Sequence, residues 1–254
     1  MIVGFVQIVH FTIGTIIGSF LNVVSVRAVN NKQFYKGRSE CTECNKTIRW
    51  QDNIPMLSFV LLKGRCRYCK AKISYLYPIV ELLTGILFVF ILNLEMDVFQ
   101  KAVFSLLISL LIVISTIDTL EKAIYQHHLI LLFALIVIIR AFIEPVKFID
   151  LFYGPLTFGG FLAVLRWVGG KIYKTEAMGI GDAKLAVVLG FMLSLKLAVI
   201  ALYISFISAS LVGVYLIVSK RKSERIIPFA PFLSFGAITA YFYGQQIISF
   251  VVQF

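Results

Sequence analysis

Apolar residues in this chain come in long blocks and do not alternate with polar ones. Eight blocks approach the length of about 20 residues that a helix needs to cross a hydrocarbon core. They run roughly over 3 to 26, 74 to 94, 101 to 118, 128 to 145, 149 to 168, 183 to 195, 197 to 218 and 229 to 252, the sixth being short. One sizeable polar stretch, about 28 to 72, interrupts them, and neither an internal repeat nor a low-complexity linker is evident. The pattern predicts an all-α polytopic membrane protein: a transmembrane helix over 1–27, a polar loop over 28–72 and seven membrane helices over 73–254. The first block reads as a retained span and not as a cleavable signal, because no Lys or Arg precedes it and its apolar run is too long.

Composition narrows this further. The chain is 59% hydrophobic and 15% charged, with a mean hydropathy of +0.91, far from the range of soluble domains. A net charge of +11 could suggest a nucleic-acid partner. Position argues for a lipid bilayer and against nucleic acid: 20 of the 24 Lys and Arg fall in 27–72, at Lys122, in 166–184 or in 220–225. With eight spans those loops share one side, which the positive-inside rule makes the cytoplasm, leaving both termini outside.

All four cysteines sit in the polar loop, as Cys41-Thr-Glu-Cys44 and Cys66-Arg-Tyr-Cys69. Two such knuckles can close a tetrahedral four-thiolate zinc site, a structural one because every coordination position is filled. Two disulfides are the alternative, and they suit a reducing cytoplasm badly. Gly64, just ahead of the second knuckle, suits a tight turn.

Acids in or at the ends of apolar spans are costly and mark a functional site or a buried pairing. Asp118 ends the third block, Asp182 opens the sixth, and Glu81 stands about two turns into the second. In the eight-span topology both aspartates face the same side at one depth. Two neighbouring carboxyls that share a proton can activate water and polarise a scissile carbonyl, the chemistry of an aspartic protease. Gly179 and Gly181 would let a substrate backbone approach Asp182 and leave its loop free to take conformations other residues avoid. Pairing of the acids with Lys122 or Lys184, or an ion relay in a transporter, is the competing reading. Glu81 would either bond a neighbouring helix or contact substrate or cofactor. Lys184 would either orient Asp182 or face water.

The motifs, taken in order, resemble those of the type IV prepilin peptidases, including the competence-type members of Gram-positive bacteria. They are Gly18-Ser-Phe-Leu-Asn-Val-Val-Ser-Val-Arg27, the two CxxC pairs flanking Trp50-Gln-Asp-Asn-Ile-Pro-Met-Leu-Ser58, Gly64-Arg-Cys-Arg67 and Tyr77-Pro-Ile-Val-Glu-Leu-Leu-Thr-Gly85. Ile117-Asp118, Gly179-Ile-Gly-Asp182-Ala-Lys-Leu185 and Ile227-Pro-Phe-Ala-Pro-Phe-Leu233 follow. The resemblance implies a multi-pass protein of the cytoplasmic membrane that cuts the basic leader of type IV prepilins or competence pseudopilins after a glycine, at the cytoplasmic face. It implies Asp118 and Asp182 as the catalytic pair and the cysteines as a zinc module. Many members also methylate the new N-terminus with S-adenosylmethionine; no Rossmann-type glycine fingerprint supports that here. Other Gly-x-Gly-Asp membrane proteases cut within transmembrane helices and offer a second substrate class. Glu121 and Glu176 are candidate acids to receive a basic leader. The chain departs from the family where Ile124-Tyr-Gln126 replaces Ile-Pro-Asp, removing a helix-ending proline and an acid, so the loop after Asp118 is expected to differ in shape.

Overall fold

A computed structural model describes residues 2–33, 37–143, 148–173, 178–219 and 227–252. Among these residues the chain is helical throughout its apolar blocks. The helices are α1 (Ile2–Val29), a short α2 (Leu57–Leu61), α3 (Leu76–Leu92), α4 (Val98–Glu121), α5 (Gln126–Ile138), α6 (Asp150–Tyr173), α7 (Ile180–Gly190), α8 (Leu195–Val218) and α9 (Ala230–Val252). Every expected span has its helix. α5 runs on through a wider turn over Ile139–Ile143. Five segments are long and apolar enough to cross a bilayer: Gly4–Val29, Val98–Glu121, Gln126–Ile143, Asp150–Ile172 and Leu195–Val218. Of the remaining three, α3 has 17 residues and α7 only 11, while α9 is diluted by Tyr241, Tyr243, Gln245 and Gln246.

The chain divides by packing into two compact units, Met1–Leu120 and Glu121–Phe254. In the first, α1 lies on α3 through small residues. A Cβ on Gly18 would stand 2.8 Å from the Glu81 Cα, and one on Gly85 would stand 2.8 Å from the Thr15 Cγ2. Close approach of this kind replaces the hydrophobic drive that lipid removes between membrane helices. Asn22, buried on α1, donates to the Tyr77 carbonyl of α3 at 3.1 Å. α4 is buried around most of its girth, with Phe104, Leu107, Ile108, Ile114 and Ile117 fully covered.

In the second unit α7 packs on α5, α6 and α9. Leu185, Ala186 and Leu189 are fully buried. α8 pairs with α9 and leaves Tyr203, Ile207, Leu211, Val214 and Tyr215 exposed, an apolar face suited to lipid.

Substituting Gly18 by Ala should overpack the α1–α3 contact and destabilise the protein by about 1–3 kcal/mol. Gly4→Ala, where nothing lies within 4 Å, should be neutral or stabilising through helix propensity. Thermal unfolding of both variants in detergent checks the contrast.

Candidate active site and metal centre

The polar loop folds as two copies of one knuckle. An antiparallel bridge joins Glu40 to Thr47 in the first and Arg65 to Lys72 in the second. Cys41 N–H donates to the Lys46 carbonyl at 3.0 Å, and Cys66 N–H to the Ala71 carbonyl at 2.9 Å. The residue after each second cysteine, Asn45 or Lys70, has a left-handed backbone, with φ of 53° and 61°. Ile48 N–H reaches the Ser39 carbonyl just as Ile73 N–H reaches that of Gly64. All these pairs are related by the offset from Cys41 to Cys66, so the loop contains a short repeat that the sequence reading did not register. Gly64 takes φ +65°, as expected of a tight turn, and its missing Cβ leaves room for the Phe59 ring at 3.0 Å.

The knuckles bring the four sulfurs together. All four Sγ atoms lie within 4.8 Å of one another, and they could hold one metal ion. Cys41 Sγ and Cys69 Sγ are 3.8 Å apart, the edge of a tetrahedron with bonds of about 2.3 Å to zinc and too long for a disulfide. The four thiols are free cysteines. Backbone N–H groups of Cys69 and Tyr68 point at the Cys66 sulfur and draw its thiol down to about 6, favouring the thiolate that metals bind.

A cavity of about 920 Å³ opens beside this module within the first unit, lined among others by Asn22, Arg27, Phe59, Tyr77 and Glu81. Glu81 is 8% exposed. Its Oε2 accepts the Met56 N–H at 2.8 Å, and the Ser19 hydroxyl of α1 also reaches it. Both a neighbouring helix and the chain between the two knuckles are thus tied to one carboxylate. Met56 has φ 59°, a conformation few non-glycine residues adopt, and the bond to Glu81 holds it there.

Asp118 is 5% exposed, three residues before the end of α4. The helix stops because Lys122 takes a left-handed φ of 58°. Tyr125 then takes φ −79° and ψ 135° ahead of α5, an extended conformation that a proline there would also adopt. The missing proline is therefore no obstacle to the break. Glu121 accepts a bond from the Tyr125 hydroxyl, and Glu176 lies outside the described residues.

Asp182 stands in the first turn of α7, with Gly179 as the N-cap. The expected backbone role of the glycines is corrected: Gly179 has φ −64° and ψ 140°, open to any residue, and Gly181 is helical. Their value is room. A Cβ on Gly179 would stand 3.1 Å from Asp182 Oδ2, and one on Gly181 would stand 3.0 Å from the Ile124 Cβ. Lys184 is exposed, with Nζ 3.4 Å from Gln126 Oε1. The helix under this turn is pressed onto α6, where a Cβ on Gly159 would come within 2.7 Å of the Val187 nitrogen. Asp118 belongs to the first unit and Asp182 to the second.

Sequence reasoning missed Arg166, which donates from Nη1 to the Met178 carbonyl at 2.6 Å. A lone Arg inside an apolar block was the signal available.

Apolar helices with acids in their first or last turns, together with four cysteines that could hold a metal ion, define a multi-pass membrane protein. The comparisons specify it. Residues 12–94 match the bacterial peptidase A24 N-terminal domain, and residues 105–217 match the type IV leader peptidase family. The chain is 32% identical over 251 residues to the prepilin leader peptidase/N-methyltransferase of Bacillus subtilis (strain 168), covering 96% of each. It is 36% identical over 250 residues to the type 4 prepilin-like proteins leader peptide-processing enzyme of Escherichia coli O78:H11, covering 89% of each. It is 29% identical over 268 residues to the prepilin leader peptidase/N-methyltransferase of Stutzerimonas stutzeri, covering 95% of this chain and 92% of the relative. No solved structure matches. The chain belongs to the type IV leader peptidase family.

One ion pair braces the module: Arg67 donates from Nε and Nη2 to the two carboxylate oxygens of Asp52, at 2.8 and 2.6 Å. Hydrogen bonding to Arg67 holds the Asp52 carboxyl below its usual 3.8, so it is less readily protonated folded than unfolded. Its stabilisation is therefore full above that value and fades as pH falls below it. The difference in thermal stability between wild type and Asp52→Asn should accordingly be present at pH 6 to 7 and shrink on acidification below about pH 4. Unfolding followed across that range measures it.

Proposed function

We propose that this chain is a membrane aspartic endopeptidase that removes the basic leader of type IV prepilin-like proteins after a glycine. Membership of the leader peptidase family carries the reading. The two proposed catalytic side chains support it: Asp118 is buried near the end of α4, and Asp182 follows the Gly-Ile-Gly run at the start of α7. Competence pseudopilins are included among the substrates. The basic loops argue for a cytoplasmic active-site face in the cell membrane, with both termini outside.

In the proposed mechanism Asp118 and Asp182 share one proton. The ionised carboxylate takes a proton from water as that water attacks the scissile carbonyl, and the neutral one donates a hydrogen bond to the carbonyl oxygen. The proton held by the first carboxyl then passes to the leaving amine, which restores the pair. With no Cβ at Gly179 to cover Asp182 Oδ2, a substrate backbone would have access to that carboxyl, while Gly181 makes room for Ile124 behind it. Lys184 supports the turn through Gln126.

The metal proposed for Cys41, Cys44, Cys66 and Cys69 is zinc, which those four sulfurs fit by spacing and by chemistry. It would brace the module from within, since four thiolates leave no coordination position for a substrate. The double knuckle favours prepilins over substrates cut within a transmembrane helix. The names of the relatives support a second activity, N-methylation of the new N-terminus, for which S-adenosylmethionine would supply the methyl group. The cavity beside the module is in the size range of cofactor sites. There Asn22 and Glu81 would offer polar partners beside the rings of Phe59 and Tyr77.

The test uses the purified full chain in detergent with a prepilin whose Lys-rich leader ends in glycine. Asp118→Asn and Asp182→Asn should each lower cleavage by at least about 100-fold, since general acid–base catalysis supplies roughly 10²–10⁴-fold. Cleavage surviving in either variant would falsify the dyad. Elemental analysis should find one zinc per chain in the wild type and loss of zinc in Cys66→Ser. Incubation with S-adenosylmethionine, followed by weighing the product, should add the mass of one methyl group.

A further inference from the structure

α7 carries Asp182 in its first turn, so the carboxyl can act only where this helix puts it. The helix has 11 residues, about 16 Å at 1.5 Å per residue. It is too short to be fixed by an anchor at each membrane interface. The glycine contacts with α6, Gly159 at Val187 and Gly154 at Gly190, set how closely the two helices approach. Such contacts grip weakly along the helix axis, because a glycine surface is smooth.

Two arginines supply the axial hold. At the start of α7, Arg166 of α6 donates to the Met178 carbonyl at 2.6 Å, one residue before the Gly179 N-cap. At its far end, Arg140 donates from Nε to the carbonyl of Phe191, the C-cap residue, at 2.9 Å. Both arginines are half-buried. Bonds with a charged donor are about twice as strong as neutral ones, and at Phe191 the cation also meets the negative end of the helix dipole. Arg166 grips the very segment that turns into the Gly-Ile-Gly-Asp run. Arg140 extends from the end of α5 and Arg166 from α6, so α7 is referenced to two neighbours at once.

We infer that Arg166 and Arg140 are positioning residues for Asp182, holding a backbone carbonyl at each end of α7 and so setting the depth of that carboxyl. The inference rests on the catalytic reading of Asp182. Productive geometry is steep in position, and a displacement of about 1 Å can cost about 100-fold in rate.

The experiment uses the full chain in detergent with the same prepilin and two readouts, steady-state kinetics and amide hydrogen exchange over residues 178–190. Arg166→Gln should lower kcat by about 10- to 100-fold with KM within about twofold, and exchange over 178–190 should quicken while the other helices keep their rates. Arg166→Lys, which can still donate to a single carbonyl, should recover most of kcat and of the protection. Arg140→Gln should act in the same direction. A kcat within about twofold of wild type in Arg166→Gln, or unchanged exchange over 178–190, overturns the inference. Should Arg166→Gln lose its thermal transition, Arg166→Lys decides. A folded lysine variant with near-wild-type exchange and activity supports the role, and loss of the fold in both variants overturns it by making Arg166 a folding residue. Exchange is read without turnover, so the two failures are separable. Cleavage by Asp182→Asn removes the catalytic reading, and unchanged exchange in Arg166→Gln removes the positioning role.

Discussion

In hydrocarbon a backbone N–H or C=O has no water to bond, so the chain must be helical wherever lipid surrounds it. Everything else in this protein follows from where the helices are allowed to stop. Chemistry needs side chains near unpaired backbone and water, and those exist only at helix ends. Asp118 stands three residues inside the end of α4, and Asp182 lies three residues past the N-cap of α7. The devices that end helices are therefore part of the proposed site. Lys122 closes α4 by taking a left-handed conformation without glycine, and the extended backbone at Tyr125 restarts the chain as α5.

The same solvent removes the usual drive for helices to associate, so contact has to be won by closeness. Gly18 against Glu81 and Gly159 against Val187 show how: each sits where a Cβ would overlap a neighbouring backbone. On α7 this closeness coincides with the proposed catalytic role of Asp182. The helix that bears Asp182 is the shortest of those in the expected spans, and it packs most closely on α6. Close packing sets its distance from α6, and polar bonds from Arg166 and Arg140 set its height.

Local properties were legible in the sequence. The spans follow from blocks of apolar residues, and even the shortness of the sixth was readable. The four-cysteine cluster was legible because two CxxC pairs carry their geometry in their spacing. The role of Gly179 and Gly181 was misread as backbone freedom, because the sequence cannot show that Asp182 Oδ2 and Ile124 need the space their side chains would fill. Arg166 and Arg140 escaped notice for the same reason. Their partners are the carbonyls of Met178 and Phe191, and a carbonyl has no letter in the sequence. Glu81 was half legible. Its cost in an apolar helix flagged it, but its bond to the Met56 N–H joins groups far apart in the chain.

That bond gives the cysteine module its connection to the membrane helices. Four thiolates on one ion would fix the two knuckles to each other, yet by themselves they would leave the module free to swing as a body. The chain leaves the first knuckle, turns through Trp50–Asn53 and α2, and between them passes Met56, whose left-handed backbone would relax if its N–H were released. Glu81 holds that N–H, and the Ser19 hydroxyl ties the same carboxylate to α1. A metal on the cysteines and the carboxylate would act in series, one stiffening the module and the other fastening it to α3. A buried acid is tolerable there because its carboxyl oxygens meet donors on two sides. A module left unfastened would lose its fixed place over the cavity even with its metal bound. Glu81 therefore matters to anything that cavity binds, whether or not its carboxylate touches the ligand.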